Sequence, residues 1–189
     1  PQRTYVENLT CCVCMDDLAV DADTFSRMIC CGKAMHTHCD NRVKGSTMSQ
    51  AQKSRCPECR QKYPSSEEGA VKQVCVWVDK GKAWAQSMLA NNYQFGAGVP
   101  QSYEEAIRYY NMAIKQGDPN AMFQLAAMYA QGKSVAQSFT KAVGLCASAA
   151  KQGHASAQYN LGASYETGEG VAQSYKKAFE LYTMAAKQG

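Results

Sequence analysis

The sequence predicts a small domain ordered by cysteine and histidine, followed by an all-α solenoid of helical hairpins. Two observations predict it. Eight Cys and His side chains fall in four pairs within residues 11–59, and residues 82–189 divide without a gap into three units of 36 residues. A period of that size marks stacked supersecondary units.

Bulk properties narrow the class. A chain of 189 residues, 46% hydrophobic and 19% charged, can bury a core in one or two domains. Its net charge of +4 comes without a block of Lys and Arg, so nucleic acid and anionic membrane are not expected partners. No apolar run is long enough to span a bilayer, and the opening PQRTYVENLT lacks the apolar segment of a secretory signal. The expected location is the cytoplasm or the nucleus. Ten cysteines in such a reducing compartment, clustered and interleaved with histidine, point to metal rather than disulfides.

The four pairs are Cys11/Cys14, Cys30/Cys31, His36/Cys39 and Cys56/Cys59, three of them with a two-residue gap. That gap lets two donors meet one tetrahedral ion without straining the loop between them, and thiolate with imidazole suits zinc. Fifteen residues separate Cys14 from Cys30 and sixteen separate Cys39 from Cys56, so a second pair can reach each ion across an excursion of chain. The region is too small to order itself by burial alone, whereas structural zinc contributes about 10–16 kcal/mol of apparent binding energy. Residues 16–23 read as a solvated acidic loop and residues 40–48 as a short helix.

On these residues the first region resembles the RING finger, which implies a small zinc-bound α+β domain with a cross-brace of two zinc ions. The resemblance implies that Cys11, Cys14, His36 and Cys39 hold the first ion, and Cys30, Cys31, Cys56 and Cys59 the second. Val13 between the first two cysteines and Pro57 within CPECR are RING habits. Lys33 stands where many RINGs place a ligand, so Cys30 supplies it, with His38 as the alternative. RING domains hold a ubiquitin-charged E2 enzyme so that its thioester is oriented for attack, which is catalysis by positioning and needs no covalent nucleophile. Val13, Pro57 and Arg60 are then the E2-facing candidates, Arg60 at the linchpin position. The same ligand order occurs in PHD fingers, which read histone tails, but those carry an aromatic where this chain has Ser54. Cys12, Cys75 and Cys146 are left over; Cys75 and Cys146 fall on apolar helix faces, where a thiol behaves as a small hydrophobe.

Within each 36-residue unit (82–117, 118–153, 154–189) Ala85, Leu89 and Tyr93 recur at i, i+4, i+8. Ala106, Tyr110 and Ala113 recur at i, i+4, i+7, so two amphipathic helices flank a glycine-containing loop. Gly96, Val99 and Gln101 recur with them. Ser102 with Glu105 predicts a capping box, Gly117 and Gly153 predict left-handed stops, and Asp118-Pro119 predicts an N-cap followed by proline at the first helical position. Shifting the frame back by 36 makes residues 63–81 a half-repeat helix, boxed by Ser65 and Glu68 and joined rigidly to the zinc domain (residues 1–62) through residues 61–65. Trp77 then stands in a column of alanines, where it is expected to pack on the zinc domain or cover the first groove.

The patterns AQYNLGASYETGEGV and KAFELYTMAAKQG closely resemble Sel1-like repeats. That resemblance implies a solenoid whose concave face binds other proteins. With no polar capping helix in the third unit, further repeats are expected after it. Together the halves predict a RING-type E3 ubiquitin ligase with an E2 enzyme and a repeat-bound substrate as partners. The alternative is a non-catalytic, zinc-stabilised scaffold, and a lesser one a histone-tail reader.

Overall fold

The computed structural model describes residues 62–188, together with the backbone of two short strands, β1 (Phe25–Arg27) and β2 (Ala34–His36). The strands pair antiparallel, Phe25 opposite His36 and Arg27 opposite Ala34. Sequence reading did not predict this hairpin. The expected helix at residues 40–48 and the loop at 16–23 lie outside the described residues.

From residue 67 onward the chain is a series of seven helices: α1 (Glu67–Asp79), α2 (Ala83–Phe95), α3 (Tyr103–Lys115), α4 (Pro119–Gln131), α5 (Phe139–Lys151), α6 (Ala155–Thr167) and α7 (Tyr175–Ala186). Adding 36 to the start of α1 gives α3, then α5, then α7; adding 36 to α2 gives α4, then α6. The period predicted from sequence is therefore the period of the helix starts, and α1 stands one period before α3. Each of α2, α4 and α6 packs chiefly on the helix that follows it, forming a hairpin. Successive hairpins stack α3 on α4 and α5 on α6, while α1 leans on α2.

The core follows the repeat columns. Ala85, Leu89, Ala106, Tyr110 and Ala113 in the first unit are buried, as are Ala121, Leu125, Ala142, Cys146 and Ala149 in the second. Small residues dominate where helices cross, which lets backbones approach closely and makes stacking tolerant of a fixed translation. Trp77 joins the cluster between α1 and α2, its ring 5.9 Å from that of Trp84 and under the Lys80 ammonium. It packs against the buried Val71, Val74, Ala85 and Leu89.

Helix ends are set by the same columns. Ser66, Ser102, Ser138 and Ser174 all stand at N-caps, each hydroxyl accepting from the N–H three residues on. Ser66 rather than Ser65 opens α1, and Gly69 occupies the place of the boxing glutamate. Nor does Ser102 form a reciprocal box. Its own N–H donates to the Tyr93 carbonyl, so Glu105 is released to pair with Arg108 at 2.6 Å. Asp118 caps α4 as predicted, its Oδ1 2.8 Å from the Ala121 nitrogen, with Pro119 behind it.

Loops between paired helices are held by glutamine. The side-chain amides of Gln101, Gln137 and Gln173 each donate to a carbonyl in the last turn of the preceding helix, at 2.7–2.8 Å. Carbonyls there lack an intrahelical partner, so this bond both satisfies a helix end and folds the loop back. It explains why glutamine recurs at that column.

Candidate interaction surfaces on the repeat solenoid

Which faces of the stack are open is decided by what fills each column. In the first unit Tyr110 closes the space between α2 and α3 completely. Its hydroxyl lies 2.5 Å from Asn91 Oδ1 and 2.6 Å from Gln94 Oε1. A hydroxyl has one proton, so it donates to one amide and accepts from the other, whose oxygen and nitrogen are interchangeable in such networks. Burial raises the Tyr110 pKa further above its ordinary value. The third unit keeps the tyrosine: Tyr182 donates to Glu166 at 2.6 Å over Gly162, where a side chain would meet the ring. That carboxylate, withdrawing nothing and favouring the protonated phenol, pushes the Tyr182 pKa up to about 12.

The middle unit loses the whole arrangement. Cys146 replaces the tyrosine, and Ala127 and Ala130 replace the two amides, leaving a cavity of about 210 Å³ between α4 and α6 with α5 as its floor. Asn160, Ser164 and Thr167 supply its polar side. Burial lifts the Cys146 thiol to about 11, so it is a protonated, weakly nucleophilic group at neutral pH. Cys75 is raised as well, by burial and by Asp79. Both thiols are small hydrophobes, as sequence reading had them.

His154 supplies a junction that sequence reading missed. It occupies the cap column of Asp118, and its Nδ1 accepts from the Ala157 N–H at 3.2 Å. That acceptance fixes the proton on Nε2, which lies 3.0 Å from Asn120 Oδ1, and the ring stacks on Phe123 at 4.9 Å. One side chain thus caps α6 and ties it to the preceding unit. The residues in the columns of Asn120 and Phe123 one unit on are Ser156 and Tyr159. They line an open groove of about 710 Å³ with Tyr182, Ala185 and Ala186. Phe179 is 73% and Tyr175 68% exposed on α7, whereas Val143 and Phe139, their counterparts on α5, are partly covered.

A third groove of about 380 Å³ lies between α5 and α7, with Leu161 and Tyr165 of α6 beneath it. No three His, Cys, Asp or Glu side chains converge as a metal site among the described residues. Of the predicted zinc ligands, His36 ends β2, where only its backbone is described. Cys11, Cys14, Cys30, Cys31, Cys39, Cys56 and Cys59 lie outside the described residues, as do His38 and the E2-facing candidates Val13, Pro57 and Arg60. No described helix is long and apolar enough to cross a membrane.

Three consecutive stretches, residues 85–118, 119–154 and 155–189, match the pattern of the Sel1 repeat. The chain belongs to the Sel1-repeat family. A crystal structure of a Sel1 repeat protein from Oxalobacter formigenes is 39% identical, with a TM-score of 0.59, over 63% of this chain and 90% of that one. A second Sel1-type structure, the protective antigen c5321 of uropathogenic Escherichia coli, is 27% identical with a TM-score of 0.62. It matches over 66% of this chain and 27% of its own length. Helicobacter pylori cysteine rich protein B shares the fold at 19% identity, TM-score 0.54, over 66% and 92% of the two chains. No curated protein matches. The Sel1-like solenoid that the sequence patterns implied is therefore the architecture of the helices from Ala83 to Ala186, and it is a TPR-like protein-interaction fold.

Proposed function

We propose that this Sel1 protein is a scaffold whose repeat solenoid binds a segment of another protein along the groove between α4 and α6. The observation that carries the reading is the Tyr110, Cys146, Tyr182 column. The first unit fills the space with a fully buried tyrosine, the third keeps its tyrosine on the wall of an open groove, and the middle one has a cysteine beneath a hollow with an apolar floor and hydrogen-bonding groups along one wall. A photo-crosslinking residue at Ala163 is expected to join a partner protein that the same residue at the exposed Glu104 does not reach. Filling the groove with Ala127→Arg should then weaken binding of that purified partner at least tenfold. Equal crosslinking at both positions, or binding indifferent to Ala127→Arg, refutes the assignment.

A second reading adds ubiquitin transfer, and the ligand spacing of residues 11–59 supports it. Seven thiolates and one imidazole are a donor set suited to two zinc ions. In this reading Cys11, Cys14, His36 and Cys39 hold one ion, Cys30, Cys31, Cys56 and Cys59 hold the other, and Val13, Pro57 and Arg60 meet an E2 enzyme. The solenoid then presents the substrate. Metal analysis should return two zinc ions per chain, and autoubiquitination across a panel of E2 enzymes should fall sharply with Arg60→Ala. Folded, zinc-loaded protein that is inactive with every E2 leaves the scaffold reading alone.

A further inference from the structure

We infer that the groove between α5 and α7 seats one aliphatic side chain, leucine- or isoleucine-sized, of a partner polypeptide that carries a carboxylate next to that side chain. The inference rests on the reading of the solenoid as protein-binding, but it concerns a different surface from the α4/α6 groove.

The repeat itself shows what is missing. Residues 78, 114, 150 and 186 share a column, and they are Val78, Ile114, Ala150 and Ala186. Ile114 packs against the cluster that includes Leu125, alongside Tyr129 and Leu145. Ala150 faces the equivalents of those residues, Leu161, Tyr165 and Leu181, with three fewer carbon atoms. The gap is not filled by its neighbours: Ala147, Leu161, Tyr165, Leu181 and Met184 line an open groove there. Meanwhile the walls rise: Gly144 and Ser148 on α5 correspond to Glu180 and Met184 on α7. A shortened floor and raised walls together make the cavity of about 380 Å³, within the range of about 300–1,000 Å³ usual for ligand pockets.

The rim specifies the rest of the occupant. Lys151 and Lys177 stand there against the single carboxylate of Glu180. Lys177 lies 4.9 Å from the Tyr165 ring, over the apolar floor, so its ammonium is poised beside whatever enters. An aliphatic side chain satisfies the floor, and an adjacent Asp or Glu answers the excess positive charge at the rim.

A random-peptide phage library panned on the full, zinc-loaded chain tests this. Enriched peptides are expected to share one Leu, Ile or Met with Asp or Glu within three positions. A synthetic peptide from that set, measured by fluorescence anisotropy, should bind at least tenfold more weakly to Ala150→Ile, which inserts the side chain of the preceding unit. Lys151→Glu combined with Lys177→Glu should weaken it severalfold. Ala150→Ile should melt no lower than the parent chain; if it does melt lower, Met184→Ser, which lowers a wall and leaves the floor alone, takes its place with the same expected loss. Enrichment of no peptide, or of peptides bound equally by the filled and parent chains, overturns the proposal. So does a dimer in sedimentation that Ala150→Ile dissolves, since the occupant is then a second copy. Peptides lost on Ala127→Arg but not on Ala150→Ile overturn this site while leaving the scaffold reading standing.

Discussion

Ser134 offers a test in which one column of the repeat predicts opposite outcomes at two positions. Residues 98, 134 and 170 occupy the same place in the three interhelix loops, and all three are left-handed, with φ of 72°, 55° and 73°. Two are glycine; the middle one is serine. A left-handed non-glycine residue costs about 1–2 kcal/mol, and placing glycine there instead costs about 0.5–1 kcal/mol of extra chain entropy. Ser134→Gly should therefore stabilise the solenoid by about 0.5–1 kcal/mol. At Gly98 the reverse applies, and more strongly. A Cβ there would stand 2.5 Å from the Glu67 carbonyl carbon and oxygen at the start of α1. That is backbone, which cannot step aside without moving α1, so Gly98→Ala should cost about 3 kcal/mol or more through combined strain and overlap. Urea unfolding followed by circular dichroism at constant m-value measures both. Ser134→Gly that leaves stability unchanged or lowers it, or Gly98→Ala within about 0.5 kcal/mol of the parent, refutes the column argument.

Three further outcomes follow from single side chains. Tyr182, with its pKa raised from 10.0 to about 12 by the Glu166 hydrogen bond, stabilises the fold below pH 10, and that contribution disappears as pH rises through about 12. Glu166→Gln should bring the tyrosinate absorbance transition down toward 10; an unmoved transition removes the bond from the account. Cys146, held near 11 by burial, should resist alkylation at neutral pH until the chain is unfolded, with peptide mapping as the readout; rapid labelling of the native chain contradicts its burial. His154→Ala removes a cap and an inter-unit hydrogen bond, and should cost about 1–2 kcal/mol, whereas a loss under about 0.5 kcal/mol denies the cap its role.

Much of the solenoid was legible because its period is written in residues that serve local ends. Serine at each N-cap, glycine at each left-handed stop and alanine at each crossing act within a few residues of themselves, so their spacing reveals the helices directly. Interaction partners were less legible. Glu105 has the sequence spacing of a capping box, yet it pairs with Arg108, because the N–H it would have served already donates to Tyr93 across the hairpin. Ser65 and Ser66 are alike in chemistry, but Ser66 alone stands 36 residues before Ser102, and it is the residue that caps α1. The glutamine column was seen to recur, but its reason, an orphan carbonyl seven residues back, depends on how the loop returns.

By itself the sequence determined that this chain carries three 36-residue helical hairpins and a preceding half-unit, since capping and amphipathic periodicity are local physics. It also places seven cysteines and one histidine in four pairs within residues 11–59, the spacing on which the zinc reading rests. Tertiary structure alone decided which columns are full and which are hollow. Whether Ala150 or Cys146 leaves a groove depends on how the neighbouring helices pack around the smaller side chain, and no local pattern records that.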